Sequence, residues 1–175
     1  MAACYASVEQ ALAFAYGMEA RVVCKLSWGL GRGGTGGDPY ARHAEAAMVI
    51  ALTRRTLKGV VRAAVEAAHT VPAERWLRAR KQAACACLAR HTRGPMWPNR
   101  FYVLDVAREW AGLRRDHDDA WWAEHLGLSE RRLRQLKHGR RDRGTFGLMG
   151  QLDRHYESGV AALREPMIAR GYISE

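Results

Sequence analysis

Apolar residues recur along this chain at intervals of three and four, the spacing that places side chains on one face of an α-helix. Near the start, Tyr5, Val8, Leu12, Ala15 and Tyr16 fall on a single helical face. No stretch alternates convincingly between apolar and polar residues, so the pattern predicts an all-α, compact helical protein. The predicted helices cover Ala3 to Leu26, Pro39 to about His69, Pro72 to about His91, Arg100 to Gly112, Asp118 to Leu126, Ser129 to Lys137 and about Phe146 to Leu163.

Glycine and proline mark the ends of these helices. The glycine-rich segment Gly29–Gly37 ends the first helix, and Asp38 and Pro39 suit the N-cap and first turn of the second. Gly59 is expected to weaken that long second helix slightly, and Pro166 is expected to interrupt any continuation of the last helix to the end of the chain. The buried side of the second helix is predicted to include Met48, Leu52 and Val60.

A short segment containing Gly94, Pro95 and Pro98 is the predicted boundary between two parts of the chain. Residues 1–94 form an N-terminal helical part, and residues 95–175 form a C-terminal helical part. Because the connecting segment is too short to act as a flexible tether, we expect the two parts to pack together.

The most informative segment runs from Asp119 to His138 and resembles the twenty-residue helix-turn-helix pattern of bacterial regulators. Ala123 supplies the small residue where two helices cross, Gly127 suits a left-handed turn, and Ser129 suits the N-cap of the second helix. The buried positions are filled by Trp122, Leu126, Leu128, Leu133 and Leu136. The pattern predicts that part 95–175 binds double-stranded DNA.

Charge supports a polyanionic partner. The formal net charge is +10 and the sequence pI is near 10.0. The excess is local, because Ser129 to Arg143 holds seven basic residues against two acidic ones. A concentration of this kind is typical of a nucleic-acid contact surface.

The second helix of the pattern predicts how this contact is made. Its outward face presents Arg and Gln side chains, which read guanine and adenine in the major groove by paired hydrogen bonds. Arg132 and Lys137 lie nearer the flanks and suit phosphates, and the arginines after Gly139 suit the DNA backbone or a minor groove. The predicted DNA-contacting residues are Ser129, Glu130, Arg131, Arg132, Arg134, Gln135, Lys137, His138, Arg140, Arg141 and Arg143.

Other features give weaker signals. No strand precedes the glycine segment, and no Gly-Lys-Ser or Gly-Lys-Thr follows it, so a flexible loop is favoured over a phosphate-binding turn. The carboxylates Asp116, Asp118 and Asp119 are better explained by helix capping than by catalysis. Neither His117 nor His125 accompanies a recognisable nucleophile, so we expect no enzymatic activity.

The spacing of the cysteines predicts free thiols in a reducing compartment. Cys85 and Cys87 lack the paired spacing of a structural zinc site, and although Cys87 and His91 are four apart, buried thiols are favoured over a metal. We therefore predict no metal and no cofactor. Without a recognisable secretory signal or membrane span, we expect a cytoplasmic, nucleoid-associated bacterial protein that does not bind membranes.

The whole chain is similar to the Q-type late-gene antitermination factors of phages and prophages. The similarity rests on a small, basic, nearly all-helical chain, with the helix-turn-helix Ala123–Leu136 in its C-terminal half and a helical segment before it. Because the chain lacks a paired-cysteine zinc element, it resembles the zinc-free type.

This resemblance implies that the protein binds a DNA element at a promoter and engages paused RNA polymerase together with its sigma factor. It would then stay on the elongating complex and act near nascent RNA at the exit channel. Residues implied to face polymerase or RNA lie on basic helix 73–91 and in the glycine segment, namely Arg75, Arg78, Arg80, Lys81 and Arg32. Two alternatives use the same motif: a conventional activator or repressor acting at initiation, and a DNA-processing subunit for recombination or packaging.

Overall fold

The structure is a computed structural model that describes residues 5–28, 39–92, 99–140 and 145–174. Helices account for most of these residues, which confirms the predicted all-α class. In chain order the helices are α1 (Val8–Trp28), α2 (Pro39–Thr56), α3 (Gly59–His69), α4 (Arg75–His91), α5 (Arg100–Trp110), α6 (Asp119–His125), α7 (Glu130–His138) and α8 (Leu148–Ile168). Between α7 and α8, strands β1 (Gly139–Arg140) and β2 (Thr145–Phe146) pair antiparallel.

The prediction of one helix from Pro39 to His69 is wrong, because the chain breaks between α2 and α3. Leu57 leaves the helix and is buried, while Gly59 takes a left-handed conformation with φ of 54°. The predicted buried side is only partly confirmed. Leu52 is buried and Val60 is partly buried as predicted, whereas Met48 is 54% exposed.

Local capping explains where α1 begins. The Ser7 hydroxyl accepts a hydrogen bond from the Gln10 amide at 3.2 Å, and the Gln10 side chain accepts one from the Ala6 amide at 2.7 Å. This reciprocal arrangement starts α1 at Val8 instead of Ala3. Helix α4 begins at Arg75, three residues after Pro72, without a side-chain cap.

The last helix is longer than predicted. Helix α8 passes through Pro166 and ends two residues later at Ile168, beyond the predicted end at about Leu163. Gly159 lets α8 approach α3 closely, since a Cβ atom there would lie 2.7 Å from a methyl carbon of Val65. The close approach makes α8 the element that both halves of the core share.

The buried apolar residues form two clusters that α8 joins. One cluster is built by α1, α2, Val65 of α3 and the C-terminal half of α8. The other is built by α3 to α7 and the N-terminal half of α8. Helices from both sides of the predicted 94/95 boundary therefore share a core, as expected for two parts that pack together.

Candidate nucleic-acid interface

Helices α6 and α7 form where the sequence predicts them, and their caps follow the predicted chemistry. Asp118 Oδ1 accepts a hydrogen bond from the Trp121 amide at 2.8 Å, and Ser129 Oγ accepts one from the Arg132 amide at 3.3 Å. Between the helices Gly127 has φ of 62°, the left-handed conformation that ends a helix. Residues 126–129 thus make a short turn that links one helix to the next.

The buried faces of this pair belong to the larger core. Trp122, Ala123 and Leu133 are buried, whereas Leu126, Leu128 and Leu136 are partly buried. The ring of Trp122 meets the ring of Tyr102 from α5 edge to face, with centroids 5.6 Å apart. The apolar positions of the motif therefore pack as predicted, although packing alone does not assign a function.

The opposite face of α7 is open to solvent. Glu130, Arg131, Arg134 and His138 are exposed, and Arg132 and Gln135 are half-buried. A shallow depression on this surface is lined by Arg131, Arg134, Gln135, His138 and Gly139. Because these side chains lie at helical intervals of three, four and seven, α7 presents them together.

One predicted contact residue does not lie on this face. Lys137 is 3% exposed, and its ammonium lies 2.7 Å from Glu109 Oε2 and 3.3 Å from Asp119 Oδ2. The sequence predicts that Lys137 contacts a phosphate. That prediction is wrong, because a buried side chain neutralised in this way is not placed to reach DNA. The correction arises because Lys137 follows Leu133 by one turn and so turns towards the core.

A small β-hairpin follows α7 directly. Gly139 pairs with Phe146 and Arg140 with Thr145, so the backbone of Arg140 is part of β1. The predicted contacts Arg141 and Arg143 lie between the strands, outside the described residues. Gly147 then packs against the end of α7, since a Cβ atom there would lie 2.5 Å from the Lys137 carbonyl oxygen.

The basic helix α4 divides its cations between surface and core. Arg75 and Arg78 are exposed, in keeping with a contact surface. Arg80 instead donates two hydrogen bonds, of 2.7 and 2.6 Å, to the two carboxylate oxygens of Glu19 on α1. Lys81 is buried, and burial lowers its pKa. The predicted polymerase-facing role therefore does not fit Arg80 or Lys81, and Arg32 lies outside the described residues.

Asp105 is a buried carboxylate that the sequence reasoning missed. It accepts hydrogen bonds from the amides of Asp116 and His117, at 3.2 and 3.1 Å, and from the indole of Trp122 at 2.9 Å. These bonds fix the segment that leads into α6. The sequence carried one sign of this role, a single aspartate among the apolar residues of α5. A carboxylate at a buried position requires hydrogen-bond partners, so its place in the pattern could have identified it.

The members of the acidic cluster form ion pairs and a helix cap. Asp116 pairs with Arg108, Asp118 caps α6, and Asp119 pairs with Arg115 and Lys137. Although burial alone would raise it, contacts with these two cations hold the pKa of Asp119 below its usual value. Capping thus accounts for Asp118 as predicted, and ion pairing accounts for the other two.

The cysteines that the structure describes sit in ordinary helical surroundings. Burial raises the pKa of the Cys85 thiol to about 11, and its sulfur lies 3.7 Å from the Ala107 carbonyl oxygen. Such a thiol is a poor nucleophile at neutral pH. On the exposed side of α4, His91 Nδ1 lies 2.8 Å from the carbonyl oxygen of Cys87. No group of three metal-ligating side chains occurs in the part of the chain that the structure describes.

Comparisons with known proteins add no identity. No protein-family model, curated protein or solved structure matches this chain. Within the described residues, none of the helices combines the length and apolar character that crossing a bilayer requires. The glycine segment Gly29–Gly37 lies outside the described residues.

Proposed function

We propose that this protein binds double-stranded DNA sequence-specifically through α7, with α6 supporting it as the first helix of a helix-turn-helix. The observation that carries the proposal is the outward face of α7. Arg131, Arg134, Gln135 and His138 share one shallow surface, while Leu133 and Lys137 hold the opposite side against the rest of the protein.

The outward residues have the chemistry of direct base readout. An arginine forms paired hydrogen bonds with guanine, and a glutamine does so with adenine, in the major groove. Arg134 is 67% exposed and its contact with Glu130 is 3.3 Å long, so water screens this pair and DNA can displace it at little cost. Arg140 follows Gly139 in the first strand of the hairpin at the end of the same helix, and a cation at this position suits the adjacent DNA backbone.

We further propose a role in transcription, as a Q-type antitermination factor of the zinc-free type. DNA binding would place the protein beside a promoter, where it joins RNA polymerase held there with its sigma factor. The exposed Arg75 and Arg78 on α4 are then the candidates for contact with polymerase or nascent RNA. This assignment rests on the sequence resemblance and on the exposure of these two arginines.

In vitro selection from a random duplex library tests the DNA proposal. We expect the full-length protein to enrich one sequence and to bind it at least a thousandfold more tightly than random duplex. Arg131→Ala or Arg134→Ala should reduce this preference, whereas Arg140→Ala should weaken binding to both duplexes and reduce its salt dependence. A protein that enriches no sequence, or unchanged selectivity in both α7 variants, would contradict the proposal.

A transcription assay on a template carrying the selected site and a terminator tests the role. Readthrough beyond the terminator supports antitermination, and Arg75→Glu with Arg78→Glu should reduce it without changing duplex affinity. A change in initiation alone would instead support a conventional activator or repressor. Strand cleavage or joining would support a DNA-processing subunit.

A further inference from the structure

Four charged side chains form a closed ring behind α7. The ring joins α5, the α5–α6 connection, α6 and α7, and cations alternate with carboxylates around it. Its members, here called the charge ring, are Glu109, Arg115, Asp119 and Lys137.

Each cation of the charge ring contacts both carboxylates. Lys137 Nζ lies 2.7 Å from Glu109 Oε2 and donates a hydrogen bond of 3.3 Å to Asp119 Oδ2. Arg115 lies 3.0 Å from Glu109 Oε2 and 2.7 Å from Asp119 Oδ1. Glu109 Oε2 and Asp119 Oδ1 receive no aligned hydrogen bond, so attraction between charges holds most of the ring together.

Burial makes the ring a constraint on α7. An ammonium as buried as that of Lys137 is costly unless carboxylates neutralise it, so Lys137 cannot leave the ring without a large penalty. Because its partners lie on α5 and α6, their positions fix the rotation of α7 about its own axis. That rotation determines where Arg131 and Gln135 point.

We infer that the charge ring is a positioning device for the outward face of α7, and that Lys137 contributes to DNA selectivity without touching DNA. This inference rests on the proposed DNA-binding function. It changes the role of Lys137 from a contact to a support, and it gives Glu109 a role in selectivity although it lies on another helix.

Salt dependence separates support from contact. A lysine that contacts a phosphate reduces the slope of log Kd against log salt by about one when it is removed, whereas a supporting lysine leaves the slope unchanged. We therefore expect Lys137→Met to lower the ratio of affinities for the selected duplex and random duplex about tenfold or more, with no change in slope. Arg140→Met is the matched phosphate-contact variant and should lower the slope.

Two further variants test the ring itself. Glu109→Gln removes a charge of the charge ring from α5 and leaves the sequence of α7 unchanged. Because the ring is then weakened, we expect this variant to reduce selectivity as Lys137→Met does. Lys137→Arg keeps the charge and should recover most of the selectivity. A reduced slope in Lys137→Met, or unchanged selectivity in both Lys137→Met and Glu109→Gln, would overturn the inference.

Amide hydrogen exchange on the free, full-length protein provides a readout without DNA. We expect Lys137→Met to speed exchange in α7 more than in α8, and unchanged protection of α7 would also overturn the inference. Failure of the wild-type protein to select any duplex would remove the proposed function, and the DNA role of the ring with it. If the wild type selects DNA and the ring variants select equally well, the proposed function stands and the inference alone fails.

Discussion

Among the ion pairs that join described helices, those of Arg80 and of Lys137 are built differently. In the first, the guanidinium of Arg80 on α4 holds Glu19 on α1 through two aligned hydrogen bonds. In the second, the charge ring surrounds the ammonium of Lys137 with two carboxylates and one further cation. Both central cations belong to basic runs that the sequence reasoning assigned to external partners.

The two clusters differ in the directionality of their hydrogen bonds and in the number of cations that neutralise each carboxylate. The planar guanidinium of Arg80 matches a carboxylate with paired bonds, and it also lies over the rings of Tyr16 and Trp76 at 5.4 and 5.6 Å. The ammonium of Lys137 acts as a point charge, and Arg115 still faces both carboxylates if the lysine is removed. We therefore expect the stability of the first cluster to depend on Arg80 alone, whereas in the charge ring Lys137 and Arg115 both neutralise the carboxylates.

Removing Arg80 should have the largest effect on stability. Among the residues that the structure describes, Arg80→Met leaves Glu19 with only the 3.9 Å contact to Arg54, so we expect a loss of about 2–4 kcal/mol in the free energy of unfolding. Chemical denaturation followed by circular dichroism measures this loss. Arg78→Met on the exposed side of α4 is the control, and an equal loss in both variants would contradict the assignment.

Removing Lys137 should lower the free energy of unfolding by less than removing Arg80 does. Glu109 and Asp119 are each about one-third exposed and keep Arg115 as a partner, so we expect Lys137→Met to lower the free energy of unfolding by about 1–2 kcal/mol. The same denaturation experiment measures it. A loss larger than that of Arg80→Met would show that the charge ring is the less redundant cluster.

Acid should weaken the Arg80 region first. Burial, assisted by the charge of Lys81 and opposed by Glu9, lowers the pKa of His69 to about 4. The imidazole contacts the Tyr156 hydroxyl at 3.0 Å and stacks near Tyr16.

The unfolded chain binds this proton near pH 6.5, before the folded protein does, so stability should fall as the pH drops from about 6.5 to about 4. Because His69 is only partly buried, we expect about 1–2 kcal/mol over this window. Denaturation midpoints of wild type and His69→Gln across the window measure the effect. An equal pH dependence in both proteins would exclude His69 as its source.

The smallest effect is expected from the pair on the outer face of α7. Glu130 and Arg134 are 58% and 67% exposed and 3.3 Å apart, so Glu130→Gln should change the free energy of unfolding by less than about 0.5 kcal/mol. Thermal unfolding measures this change. A larger loss would mean that the pair supports α7 as the charge ring does, and would weaken the view that DNA can displace it easily.

Much of the local structure followed from the sequence. Periodic apolar residues predicted the helical class, and Asp118, Gly127 and Ser129 marked the ends of α6 and α7 because their chemistry acts within one turn. The outward positions of Arg131 and Arg134 followed from helical spacing relative to Leu133. The use of this face for DNA remains a prediction.

Only the tertiary structure decided which of the basic side chains form buried ion pairs. Helical spacing turns Lys137 towards the side of Leu133 and Arg134 away from it, but nothing in the local pattern shows which carboxylates neutralise Arg80 and Lys137. Their positions depend on carboxylates distant in sequence, Glu19 for Arg80 and Glu109 for Lys137. Helical periodicity and capping are local and can be predicted from sequence, whereas neutralisation of a buried charge depends on which helices the fold brings together.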